Sequence, residues 1–176
     1  MRRLRYNVAM SLDGFIAGPK GEYDWIIPDP TIDFGALFRQ FDTVVMGRRS
    51  FETMQAEGQS AATLGMKAFV VSSTLRPEDH PDVTVLASGV LEAIAGLKAQ
   101  TGKDIWLYGG GVLFRSLLDA GLVNRVEVAV IPVLIGSGIP VLPEGLRRAL
   151  RLLESKALPS GIVMLKYAAA SEPPAT

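Results

Sequence analysis

The feature that most constrains this chain is an alternation. Apolar, β-branched runs of strand length recur along it, separated by helical or turn-rich segments. The runs fall at 4–10, 43–46, 68–72, 83–86, 105–108 and 125–131. Helical spacing predicts helices over 32–41, 50–55, 89–98 and 112–120. In the last of these Leu113, Leu117 and Leu118 share a face, and Gly121 stands where a C-cap belongs. Two further strands, 151–158 and 162–169, close the chain as a hairpin turning at Pro159-Ser160-Gly161. Strands alternating with helices require right-handed crossovers, and so a mainly parallel sheet with helices on its faces. The expectation is an α/β fold over 1–170 with about eight strands, antiparallel only at the C-terminal hairpin. The tail 171–176, Ser-Glu-Pro-Pro-Ala-Thr, has nothing to bury and is expected to be disordered.

Open α/β sheets bind ligands at the carboxyl ends of their strands. The chemically distinctive segments of this chain are 11–14, 47–50, 72–74, 109–111 and 132–138, and each directly follows an expected strand. All five should gather on one edge of the sheet.

Composition narrows the chemistry. Eighteen basic residues balance eighteen acidic ones, which counts against a nucleic-acid binder built on phosphate neutralisation. The absence of cysteine removes thiol nucleophiles, disulfides and thiolate metal sites, and a single histidine, His80, leaves little for a zinc hydrolase. No metal site is expected. No apolar run reaches the roughly 20 residues of a membrane span, and the N-terminus lacks a signal-like stretch, so the expected location is cytoplasmic.

Gly109-Gly110-Gly111 lets a backbone approach a ligand and opens the helix from Val112, whose N-terminus suits a pyrophosphate. A tight turn without ligand is the plainer alternative. Gly47-Arg48-Arg49-Ser50 combines a glycine, two cations and an expected N-cap hydroxyl, a set suited to a phosphate on a ribose; two solvated surface arginines would look the same. Ser72 and Ser73 offer hydroxyls at the next strand end. Asp13 reads first as a turn former. Trp25 could cover a planar ligand or be an ordinary loop aromatic. Asp33, in the first turn of an expected helix, could hold or protonate a nitrogen heterocycle, or stabilise the helix dipole.

Taken in order, these segments resemble the dihydrofolate reductase superfamily. More narrowly, they resemble the stand-alone relatives of the reductase half of the riboflavin-pathway deaminase-reductase. The resemblance rests on 9–17 (AMSLDGFIA), 42–50 (DTVVMGRRS), 71–73 (VSS), 107–112 (LYGGGV) and 131–140 (IPVLIGSGIP).

It implies a dihydrofolate reductase-like, three-layer α/β/α fold and an NADPH-dependent oxidoreductase transferring a hydride to a pyrimidine or pterin-type heterocycle. The nearest implied activity is that of 5-amino-6-(5-phosphoribosylamino)uracil reductase; dihydrofolate reduction and a non-catalytic NADPH-binding module are the alternatives. Gly47, Arg48, Arg49, Ser50, Ser72 and Ser73 would hold the adenosine side and its 2′-phosphate. Tyr108, Gly109, Gly110, Gly111, Val112, Leu113 and Phe114 would hold the pyrophosphate, with Ala9 and Ile16 beside the nicotinamide. Asp13, Trp25, Leu37 and Pro132 would face the substrate, with Asp33 the candidate catalytic carboxylate. The resemblance further implies a cis peptide between Gly109 and Gly110, and a homodimer without nucleic-acid or membrane partners. Phe15 stands where riboflavin reductases usually carry a basic residue.

Overall fold

In a computed structural model, described over residues 1–169, ten strands and four α-helices follow one another. The order begins β1 (Leu4–Ser11), β2 (Phe15–Ala17), α1 (Phe34–Phe38), β3 (Phe41–Gly47), α2 (Arg48–Ala56), β4 (Lys67–Val71) and β5 (Thr84–Leu86). It continues with α3 (Val90–Ala99), β6 (Asp104–Gly109), α4 (Gly111–Asp119), β7 (Arg125–Ile131), β8 (Ile139–Pro140), β9 (Leu150–Ala157) and β10 (Val163–Ala169). The expected tail 171–176 lies outside the described residues.

Eight strands form one sheet in the order β5-β4-β3-β6-β1-β7-β10-β9. The first six are mutually parallel, and β10 and β9 add antiparallel to the β7 side. The expected architecture is therefore the observed one. The pleat divides the strands between two helical layers. Leu4, Tyr6, Val45, Ile105 and Leu107 pack with Leu117 of α4 and Ile94 of α3. Val44, Met46 and Trp106 face the other way, onto Phe51 and Met54 of α2, with Leu37 and Phe38 of α1 beside them. Near β7 and β10 a smaller cluster of Ile131, Leu158 and Ile162 gathers Ala9, Trp25 and Ile26.

One polar group is built into this frame. Arg5 of β1 and Glu127 of β7 are both buried and bond in bidentate fashion, at 2.9 and 2.8 Å. Asn7 donates to the same carboxylate at 3.0 Å, and Gln40 accepts from Arg5 at 2.8 Å. Arg5 also lies 4.7 Å from the centroid of the Phe41 ring.

The structure corrects three expectations. The helix expected over 32–41 forms only as α1, Phe34–Phe38, because Phe41 is drawn into β3 as a buried sheet residue. Ser50 is not an N-cap: α2 starts two residues earlier, with Gly47 as its cap. A two-stranded ribbon, β2 with β8, was not expected; strands of three and two residues are too short to carry a periodicity.

Candidate functional site

Because β1, β3, β4, β5, β6 and β7 are parallel, their carboxyl ends share one edge. The five distinctive segments do gather there, and the strand-end rule covers a sixth, Ala87-Ser88-Gly89 after β5. A cleft of about 760 Å³ opens on this edge. Gly47, Arg48, Arg49 and Ser50 line it from α2, Gly110, Val112, Leu113 and Ser116 from α4, and Gly89, Val90, Leu91 and Glu92 from α3.

Helices α2, α3 and α4 all begin on this cleft, and their N-caps are Gly47, Gly89 and Gly110, none with a side chain to cap the first amides. Serine, threonine, aspartate or asparagine would ordinarily satisfy one of those donors. In α4 the Phe114 amide already bonds Gly110 O, which leaves the Gly111, Val112 and Leu113 amides as the helix's open donors. Three N-termini without side-chain caps and two arginines concentrate positive potential on this cleft. The first turns differ, however: α2 and α4 carry no acidic residue there, whereas α3 carries Glu92.

The three consecutive glycines answer three separate demands. A Cβ on Gly109 would lie 2.9 Å from Ser50 Oγ, and one on Gly111 would lie 2.9 Å from the backbone oxygen of Pro140. Gly110 alone has open space around it, and it adopts φ +67°, a conformation that side chains resist. Internal packing therefore accounts for two glycines, and backbone conformation for the third. The Gly109–Gly110 peptide is trans, like every other described peptide bond, where the family resemblance implied cis.

The remaining expected site residues divide sharply. Arg48 is half exposed and sits 3.6 Å from Glu52 one turn on; Arg49 is exposed. Ser72 is buried, its hydroxyl accepting from the Thr74 and Leu75 amides at 3.2 and 3.0 Å, so it forms the turn, while Ser73 is exposed. Phe114 is a core residue stacked on Tyr6 with ring centroids 3.8 Å apart. Tyr108 stands edge-on to Trp106 across the sheet from α4, its hydroxyl pKa raised by burial and by Glu57.

Ala9 and Trp25 both pack on the cluster around Ile131, Ile16 belongs to β2, Leu37 packs from α1 onto the cluster around Trp106, and Pro132 lies exposed near Gly161. None of these lines the cleft.

Three aspartates accept hydrogen bonds from the chain itself. Asp33 is the N-cap of α1 and accepts from the Ala36 amide at 2.8 Å. Asp13 accepts from the Ser11 hydroxyl at 2.6 Å and from the Gly136 amide at 2.7 Å, tying the end of β1 to the loop before β8. These bonds, the Ser11 one first, hold its pKa below the usual carboxylate range. Asp29 accepts from Thr31 and is bonded to Ser160 in the hairpin turn.

Gly89, Leu91 and Glu92 were not singled out from the sequence. The signal was present: Gly89 follows one expected strand and opens the next expected helix. It was hidden by the ordinary loop composition of Ala87-Ser88.

This sheet order, with a glycine-capped cleft at the β3 and β6 ends, defines an α/β/α protein of the dihydrofolate reductase-like class. The chain belongs to the RibD C-terminal domain family, whose model matches residues 2–164. It is 33% identical to the uncharacterized protein YyaP of Bacillus subtilis over 94% of both chains. A protein of Shewanella sp. PV-4, provisionally named for riboflavin biosynthesis, superposes with a TM-score of 0.81 at 27% identity, over 95% of this chain and 98% of that one. The bifunctional diaminohydroxyphosphoribosylaminopyrimidine deaminase/5-amino-6-(5-phosphoribosylamino)uracil reductase of Thermotoga maritima shares the fold at 15% identity and TM-score 0.73. This chain covers 57% of that protein's length.

Proposed function

We propose that the chain is an NADPH-dependent reductase of a pyrimidine or pterin-type heterocycle. Membership of the RibD C-terminal domain family supports an oxidoreductase. The observation that carries the cofactor is the convergence of three uncapped, glycine-started helices on one cleft that also holds Arg48 and Arg49.

The residues present fit NADPH. The α4 amides and Gly110 would take the pyrophosphate, and the α2 N-terminus with Arg48 and Arg49 would take the 2′-phosphate. When bound, the cofactor supplies a hydride from the nicotinamide C4. The protein's part is to hold the acceptor at the β1 end, near Ala9 and Trp25, and to keep water away from it.

A second reading is a binding module without turnover. Its support is specific: Asp13, Asp29 and Asp33 each accept hydrogen bonds from the chain's own donors, and among the described residues Glu92 is the one carboxylate lining the cleft.

We also propose a homodimer through the β9–β10 side. Strand β9 ends the sheet, and Leu150, Leu152 and Leu153 on it are 40, 52 and 38% exposed.

The experiment is NADPH oxidation measured against dihydrofolate and the ribosylaminouracil phosphate side by side. Turnover of either confirms the reductase. NADPH binding with no turnover across a heterocycle panel selects the module, and the absence of both overturns the proposal.

A further inference from the structure

We propose that the chain carries a second ligand site, for a small arylalkyl ammonium ion, in a cavity beside α2 that is separate from the cleft described above. This goes beyond the reductase reading and does not depend on it.

The cavity measures about 300 Å³, at the lower end of the range for small-molecule sites. It shares no residue with the larger cleft. One helix serves both: the first residues of α2, Arg48, Arg49 and Ser50, line the cleft, and the later ones, Phe51, Met54 and Gln55, line the cavity. Phe51 and Met54 belong to the apolar layer that packs on Met46 of β3 and Ala68 of β4. All four are buried, and all four line the cavity. Ala61 and Ala68 supply little volume to this layer, which leaves room for one ring. The thioethers of Met46 and Met54 suit an aromatic occupant, because sulfur contacts ring edges favourably and the unbranched side chain adapts to what it covers.

The rim carries one sign of fixed charge. Asp79 and Asp82, from the segment between β4 and β5, line it, and among the described residues no lysine or arginine does. Lys67 precedes Ala68 on β4, and strand alternation turns it to the opposite face. Asp79 is paired with Arg76 at 3.2 Å, whereas Asp82 makes no hydrogen bond or ion pair among the described residues. His80 stands nearly perpendicular to Phe51, with ring centroids 5.2 Å apart. An apolar, sulfur-lined floor beneath an unpaired carboxylate matches a ring that carries a cationic tail, and it repels an anionic one.

The test titrates 2-phenylethylamine, a cation at neutral pH, and its neutral counterpart 2-phenylethanol into the wild type and Asp82→Asn. The readout is the methyl NMR signals of the six methionines. The amine should saturate with a Kd of about 1 mM or below and should move the Met46 and Met54 methyls before the others. The alcohol should bind about three- to fivefold more weakly, and that gap should close in Asp82→Asn and shrink at high salt. Asp82 is exposed, so the variant should keep the wild-type methionine spectrum when no ligand is added. Shifts that fail to saturate, or that spread evenly over all six methionines, overturn the site. Equal affinity of the wild type for amine and alcohol, or a gap that survives in Asp82→Asn, overturns the charge recognition assigned to Asp82.

Discussion

Gly109 and Ser50 are in contact so close that a methyl group on Gly109 would lie 2.9 Å from Ser50 Oγ. This pair brings the end of β6 against the start of α2, where both helices that would hold the cofactor's phosphates on the proposed function begin. Gly109→Ala should destabilise the protein by about 1–3 kcal/mol through overpacking. Because the obstacle is a single hydroxyl, with Ser50 Cβ at an ordinary 3.7 Å, Ser50→Ala added to Gly109→Ala should restore most of the loss. Urea midpoints of the single and double variants check this; equal midpoints would place the obstacle elsewhere.

Gly110 and Gly111 should fail in different ways. Gly110→Ala meets no neighbouring atom and carries only backbone strain, on the order of 1–3 kcal/mol, so the protein should fold and bind NADPH poorly. Gly111→Ala pushes against the backbone oxygen of Pro140 and the Pro143 ring, and should lower the melting temperature more. Melting curves and NADPH titrations of the two variants, read together, separate packing from binding.

The Arg5–Glu127 pair predicts an asymmetry between breaking and replacing it. Glu127→Leu leaves the buried guanidinium with Gln40 and, at 3.3 Å, Asp104, and should cost about 1–3 kcal/mol, while Arg5→Met with Glu127→Leu should recover much of that. A double-mutant cycle in denaturant measures the difference, and additive losses would contradict the account.

Much of this was legible from short-range pattern. The β7 strand, Arg125–Ile131, matched its expected bounds because Val126, Val128, Val130 and Ile131 make it rich in β-branched residues between helix and turn. The end of α4 was legible too: Gly121 takes φ +70° and closes the helix as the sequence suggested. The chemistry of single carboxylates was not. Asp33 reads equally as a site acid or a helix-dipole residue, and the structure makes it the α1 N-cap; the long-range bonds of Asp13 to Gly136 and Asp29 to Ser160 have no local signature. Ser72 and Phe114 misled for a related reason, since a family motif names a position and not whether its side chain turns inward. The β2–β8 ribbon depends on pairing across most of the chain and has no local signature.

Asp29 gives a pH prediction. Its hydrogen bonds, from Ser160 first and then Thr31, lower its pKa from 3.8 to about 2 in the folded protein. A depressed carboxylate contributes stability that is fully present above its unfolded value and is lost as pH falls through the folded one. The wild type should therefore lose stability between pH 3.8 and about 2 more steeply than Asp29→Asn. Denaturant midpoints across that window check it, and parallel slopes would refute it.

On the proposed function, the cleft between α2, α3 and α4 holds NADPH by its phosphates. The most direct measurement is equilibrium titration of wild type and Arg48→Ala with NADPH and NADH. The account predicts saturable NADPH binding, weaker NADH binding, and an Arg48→Ala variant that loses about tenfold or more toward NADPH alone. No saturation by NADPH below roughly 1 mM, or equal losses for both dinucleotides, would contradict it.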